Sequence, residues 1–221
     1  MERHILIVFP HPDDEAFGVS GLIGLNTKKG VPVTYACLTL GEMGRNLGNP
    51  FFANRETLPE VRKKELKEAC KAMGIEDLRM LGYRDKTLEF EDPELIADKI
   101  EEIIKEVNPS LVITFYPGHG VHPDHDATGE ATIRAVARFP KEQRPTVYCK
   151  AITHDRVEKI GEHDVEIDVT EAEEIKLATL RAHRSQTEAM MKRLSDKIAA
   201  QDEEVMGWIR KEIYWTYHFD N

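Results

Sequence analysis

Two short stretches hold most of the side chains that could do chemistry together. One is Phe9-Pro10-His11-Pro12-Asp13-Asp14-Glu15 and the other is His122-Pro123-Asp124-His125. Pooled, they offer His11, Asp13, Asp14, His122, Asp124 and His125. Two imidazoles and one carboxylate make a catalytic zinc set, with the fourth position left to water. Such an ion lowers the water's pKa to about 7 and polarises a carbonyl. A carboxylate beside that water serves as general base. A further His can stabilise an oxyanion or protonate a leaving group. The set therefore fits hydrolysis of an amide or ester. Helix capping alone accounts for one or two of the acids, but not for the histidines or for the second stretch.

The elements around these stretches would bring them together. Ile5-Leu6-Ile7-Val8-Phe9 is a continuous apolar run and reads as a buried strand. A helix follows over 13–29, where Gly18, Gly21 and Gly24 permit close packing, and it stops at Gly30. Strands are expected at 32–40, 78–81, 111–115, 146–152 and 165–169, with a last one at 213–219. Helices are expected at 58–73, 93–107, 126–138, 170–183 and 185–200, with Asp92 as the cap of one and Thr170 with Glu173 as a capping box for another. The polar stretch 41–54 is a long loop after a strand's carboxyl end and should overhang the site. This alternation predicts one α/β domain over residues 1–221, Rossmann-like, with a mostly parallel sheet flanked by helices. In the strand order 3-2-1-4-5, the first and fourth strands are neighbours at the switch point where ligands bind. The two His/Asp stretches follow those two strands.

Composition narrows the partners. The 221 residues are 41% hydrophobic and 32% charged, with a net charge of −10. That is enough chain for one sizeable core. An acidic balance argues against nucleic acid, which needs a basic footprint. No run approaches the roughly 20 apolar residues of a membrane span, and the first apolar run is too short for a signal-peptide core. A G-x-G-x-x-G turn is absent and acids stand where a pyrophosphate would sit. Cys37, Cys70 and Cys149 have no C-x-x-C spacing and read as core thiols in a reducing, cytoplasmic compartment. A homo-oligomer is the expected assembly, although the aromatic tail (Trp208, Tyr214, Trp215, Tyr217, Phe219) reads first as core.

The two signatures resemble those of the LmbE/PIG-L-like zinc deacetylases. Arg62 and Glu65 on the 58–73 helix, Asp85 after the third strand and His183-Arg184-Ser185-Gln186 extend the likeness along most of the chain. The resemblance implies Zn²⁺ held by His11, Asp14 and His125, with Asp13 as general base. It places His122 at the oxyanion, Asp124 orienting it, and Arg62 and Asp85 on the substrate. Glu15 reads as a first-turn helix acid, His183 and Gln186 as structural, and His119 as a solvated loop residue. The substrate implied is a small acetylated amino sugar. The loop before His122 resembles the bacillithiol-biosynthesis branch, whose substrate is N-acetylglucosaminyl malate. Gly120 stands where the mycothiol-pathway branch has a Tyr. Arg45, Arg55 and Arg62 are the candidates for the malate carboxylates. A different class, a non-haem iron oxygenase, would use His11, Asp13 and His125.

Overall fold

The computed structural model describes residues 1–219. Seven strands form one sheet in the order β3-β2-β1-β4-β5-β7-β6. β1 (Ile5–Phe9), β2 (Val33–Cys37), β3 (Asp77–Met80), β4 (Leu111–Phe115) and β5 (Thr146–Lys150) run parallel. β7 (Lys211–Thr216) lies antiparallel between β5 and β6 (Val165–Asp168). Every residue of β1, β2 and β4 is buried, because helices cover both faces.

The two-residue period of a strand divides the core into two layers. Ile5, Ile7 and Phe9 pack with Tyr35, Leu66 and Met73 on one face. That layer is covered by α2 (Ser20–Thr27), α3 (Leu58–Met73) and α7 (Glu173–Ala182). Leu6, Val8 and Val112 point to the opposite layer, where α4 (Pro93–Val107) presents Ile96, Ile100 and Ile104 and α5 (Pro123–Ala137) presents Val136. Asp92 caps α4, its carboxylate accepting from the Glu94 N–H at 2.9 Å. Around this frame lie α1 (Asp14–Gly18), α6 (Arg156–Ile160), α8 (Arg184–Ala199) and α9 (Glu203–Arg210). No helix among the described residues is long and apolar enough to cross a membrane.

The structure corrects the sequence reading in three places. The helix expected over 13–29 is two helices, α1 and α2, broken at Val19. Glu212 explains the break: its buried carboxylate accepts from the N–H groups of Gly21 and Leu22 at 2.9 Å each, capping α2 from a distant strand. Lys176 neutralises it at 3.0 Å. The capping box of Thr170 and Glu173 does not form. Thr170 starts a 3₁₀ turn with its N–H on Asp168, and Glu173 pairs with Arg210 at 2.7 Å. The last strand covers Lys211–Thr216 and is preceded by α9, a helix that, like α6, is absent from the sequence reading. Of the tail aromatics, Tyr214 and Trp215 are buried core, Tyr217 and Phe219 are partly buried, and Trp208 is exposed.

Gly21 and Gly24 pack against the β6–α7 segment rather than the sheet. A Cβ on Gly21 would meet Val169 at 2.6 Å, whereas one on Gly207 in α9 would meet open space. Gly21→Ala should therefore lower stability by about 1–3 kcal/mol through overpacking. Gly207→Ala should leave it unchanged or raise it by about 0.5–1 kcal/mol through helix propensity. Denaturant midpoints for the two variants check the difference.

Candidate active site

β1 and β4 are adjacent, and their carboxyl ends carry the two His/Asp stretches into one crevice. Ligand atoms of His11, Asp14 and His125 all lie within 4.8 Å of one another. The His11 Nδ1 is 3.2 Å from the His125 Nε2 and 3.4 Å from the Asp14 carboxylate. The other Asp14 oxygen is 3.2 Å from the His125 Nε2.

Each imidazole is aimed by a partner on its far nitrogen. The His125 Nδ1 donates to the Gly120 carbonyl at 2.7 Å, so the Nε2 lone pair faces the cluster. The Phe115 ring stacks on His125 with centroids 3.9 Å apart. The His11 Nε2 stands 3.1 Å from both Asp85 and Asp124, which leaves Nδ1 toward Asp14 and His125. A second combination, His11, His122 and Asp124, also lies within 4.8 Å. There the Asp124 oxygens already accept from the N–H groups of Lys86 at 2.7 Å and Leu88 at 3.2 Å, which favours the first set.

The electrostatics match a cation site. Burial disfavours an imidazolium at His11, but Asp124, Asp14 and Asp85 outweigh it and its pKa is raised well above the ordinary value. Burial would push Asp14 up, yet His125 and His11 hold it below the usual carboxylate range. For Asp85 the same opposition ends at about 2, set by His11. Acids outnumber bases around these rings, and the nitrogen and oxygen donors suit zinc.

Asp13 is held apart from that group. It is a non-glycine residue at φ 114, a strained conformation costing on the order of 1–3 kcal/mol. Its N–H donates to Glu15 at 3.1 Å and its carboxylate pairs with Arg62 at 3.1 Å. Burial pushes its carboxyl up to about 6, against the pull of Arg62. The oxygenase alternative needs Asp13 as ligand, but Asp14 takes that place between the two imidazoles.

Other expected roles change in the structure. Asp124 does not hold His122 with its carboxylate, which reaches His11. Instead its backbone N–H donates to the His122 Nδ1 at 3.1 Å, with His122 as the N-cap of α5. Burial, His11 and His125 lower the His122 pKa, which favours the neutral ring. Asp85 braces His11 and accepts from the Met43 N–H at 2.7 Å, while still lining the cavity. Arg62 is buried and does not pair with Glu65. It donates to the carbonyls of Pro12 and Gly41 (3.0 Å for the latter) besides its pair with Asp13. Glu65 accepts instead from Ser185. His119 is a brace rather than a solvated side chain, 2.8 Å from the Thr153 hydroxyl.

Glu15 is the residue whose place the sequence conceals. It is fully buried and accepts from Tyr35 at 3.0 Å and from His183. Standing behind Asp13 and Asp14 in a first helical turn, it carried no signal in the sequence that set it apart as buried. The cavity over the cluster measures about 650 Å³, within the range of small-ligand sites. The 41–54 loop supplies Met43, Gly44 and Arg45 to its wall, as expected. Phe17 and Lys150, unassigned by the sequence reading, line it too, as does Trp208, which was expected in the core.

An α/β sheet with a His/Asp cluster at its switch point defines a class of enzyme-like folds able to hold a divalent ion at that crevice. The chain belongs to the PIG-L family, whose model, described as GlcNAc-PI de-N-acetylase, matches residues 6–136. It is 61% identical over 221 residues, all of both chains, to "Probable N-acetyl-alpha-D-glucosaminyl L-malate deacetylase 2" of Bacillus subtilis. It is 60% identical over 220 residues, again all of both chains, to the protein of the same name in Bacillus cereus. Among solved structures it resembles N,N'-diacetylchitobiose deacetylase from Pyrococcus horikoshii, with a TM-score of 0.73 at 26% identity, covering 98% of this chain and 84% of that one. The chain is thus a hydrolytic N-deacetylase.

The buried Glu15–His183 pair yields a pH test. Burial disfavours the imidazolium, but Glu15 outweighs it and raises the His183 pKa. A raised folded pKa contributes stability below the unfolded value, lost as pH rises through the folded one. His183→Gln should cost about 3 kcal/mol or more at pH 6, by leaving Glu15 unpaired, and less as pH rises above that. Urea unfolding of wild type and variant at both ends of the range reads this directly.

Proposed function

We propose that this chain removes the acetyl group from N-acetylglucosaminyl malate, using Zn²⁺ held by His11, Asp14 and His125. The single observation that carries the reading is the separation of two adjacent acids. Asp14 lies between the imidazoles, while Asp13 is turned to Arg62 at 3.1 Å and kept off the cluster. The malate aglycone comes from the names of the two Bacillus relatives, which match the full length. A reducing, cytoplasmic setting fits the three buried, unpaired thiols.

When bound, the ion would polarise the amide carbonyl and acidify a water molecule. Asp13 takes the proton of the attacking water, and a carboxyl at about 6 is placed to do so near neutral pH. Arg62 fixes the Asp13 oxygens and keeps the group from rising further. His122, with Nδ1 accepting from the Asp124 N–H, carries its proton on Nε2 and can hydrogen-bond the developing oxyanion, while the proton that Asp13 takes from water passes on to the leaving amine. Asp85 and Asp124 orient His11 as carboxylate–histidine partners.

Asp13→Ala should retain about one equivalent of zinc and lose roughly 10²–10⁴-fold in kcat, the scale of general base catalysis. Acetate release from N-acetylglucosaminyl malate and elemental analysis of the same preparation check both halves. Normal turnover in that variant would remove Asp13 as base. Arg62→Met removes the charge that lowers the Asp13 pKa, so the acidic limb of kcat/KM should move to higher pH. A pH–rate profile with an unmoved limb would contradict this.

A further inference from the structure

Four cationic side chains besides histidine line the cavity: Arg45, Arg62, Lys86 and Lys150. Two are committed elsewhere. Arg62 spends its guanidinium on Pro12, Gly41 and Asp13. The Lys150 amine donates to the Ile213 carbonyl at 2.7 Å and rests over the Tyr214 ring at 4.7 Å. Arg55, close by in the same loop as Arg45, donates to the carbonyls of Gly44 at 2.8 Å and Glu42 at 3.4 Å. The side chains of Arg45 and Lys86 make no hydrogen bond or ion pair among the described residues, and both are exposed.

Their backbones, in contrast, are fixed. The loops after β2 and β3 are clasped twice: the Met43 N–H donates to Asp85 at 2.7 Å, and the Asp85 N–H donates to Glu42 at 3.1 Å. The Lys86 N–H is tied to Asp124 at 2.7 Å, in a left-handed conformation at φ 65. Arg55 ties down Gly44, the residue before Arg45. Two free cations thus stand on adjoining, anchored loops on the β2/β3 side of the cluster, in the wall of a cavity that also holds Asp13, Asp14, Asp85 and the two engaged cations.

We propose that Arg45 and Lys86 are a paired-cation clamp for the carboxylates of a dianionic aglycone, and that this clamp sets the preference for malate-type over neutral glycosides. The proposal rests on the deacetylase reading above. The three carboxylates in the wall would repel a dicarboxylate, Arg62 and Lys150 are engaged elsewhere, and Arg45 and Lys86 are the lining cations left free to face it. Arg supplies a bidentate fork and Lys a mobile point charge. The clamp holds substrate and takes no part in the bond-breaking step.

Calorimetry on the zinc-loaded enzyme, with glucosaminyl malate and methyl glucosaminide as probes, tests it. Wild type should bind the malate compound at least about ten-fold more tightly, the scale of one charge-assisted hydrogen bond. Arg45→Gln and Lys86→Gln should each weaken malate binding by about ten-fold with a much smaller effect on the methyl compound, and Arg45→Lys should recover part of the loss. Both positions are exposed, so thermal melts of the variants should match wild type. Equal losses on both ligands, no loss on either, or no wild-type preference would overturn the clamp. Acetate release by wild type from N-acetylglucosaminyl malate is read separately. Failure there with malate preference intact removes the substrate reading alone, and release at substrate well below KM that survives both substitutions undiminished removes the clamp alone.

Discussion

The imidazole of His11 is the hinge of the molecule's chemistry. One nitrogen is held at 3.1 Å by two carboxylates, Asp85 from the loop after β3 and Asp124 from the first turn of α5. The other is thereby committed to Asp14 and His125. The strand order makes this possible. β1 delivers His11 and Asp14, β4 delivers Asp124 and His125, and their pairing at the switch point removes the need for any long reach. A ring locked at one nitrogen presents the other in a fixed direction, which is what a metal ligand requires.

Concentrating acids in a buried crevice carries a penalty unless each is matched. The fold meets this with separate compensations rather than one network. Arg62 neutralises Asp13 and, through the carbonyls of Pro12 and Gly41, fastens the loops after β1 and β2. His183 and Tyr35 absorb Glu15, which in turn holds the Asp13 backbone in its left-handed conformation. Lys176 answers Glu212, the carboxylate that splits the first helix in two. Asp14 and Asp85 are answered by the site histidines.

Much of the fold was legible because it follows local rules. β4 was read at 111–115 and observed there, since a continuous apolar run between polar ends has few other uses. α4 was legible from Asp92-Pro93 and its isoleucine stripe. What escaped was set by distant partners. The break at Val19 depends on Glu212, 191 positions away from Gly21. The failed cap at Thr170 depends on Arg210 taking Glu173. In the site, six residues in two motifs announced themselves by type and spacing. The bracing of His11 by Asp85, and the pairing of Glu15 with a His 168 positions on, could not be read from spacing, because neither pair shares an element.

In the proposed site Asp14, not Asp13, joins His11 and His125 around one divalent ion. Anomalous diffraction at the zinc edge from zinc-loaded crystals measures this directly. One strong peak is expected in contact with His11 Nδ1, His125 Nε2 and the Asp14 carboxylate, with Asp13 still on Arg62 and outside the coordination sphere. A peak coordinated by Asp13, or one that leaves His11 unbound, would contradict it.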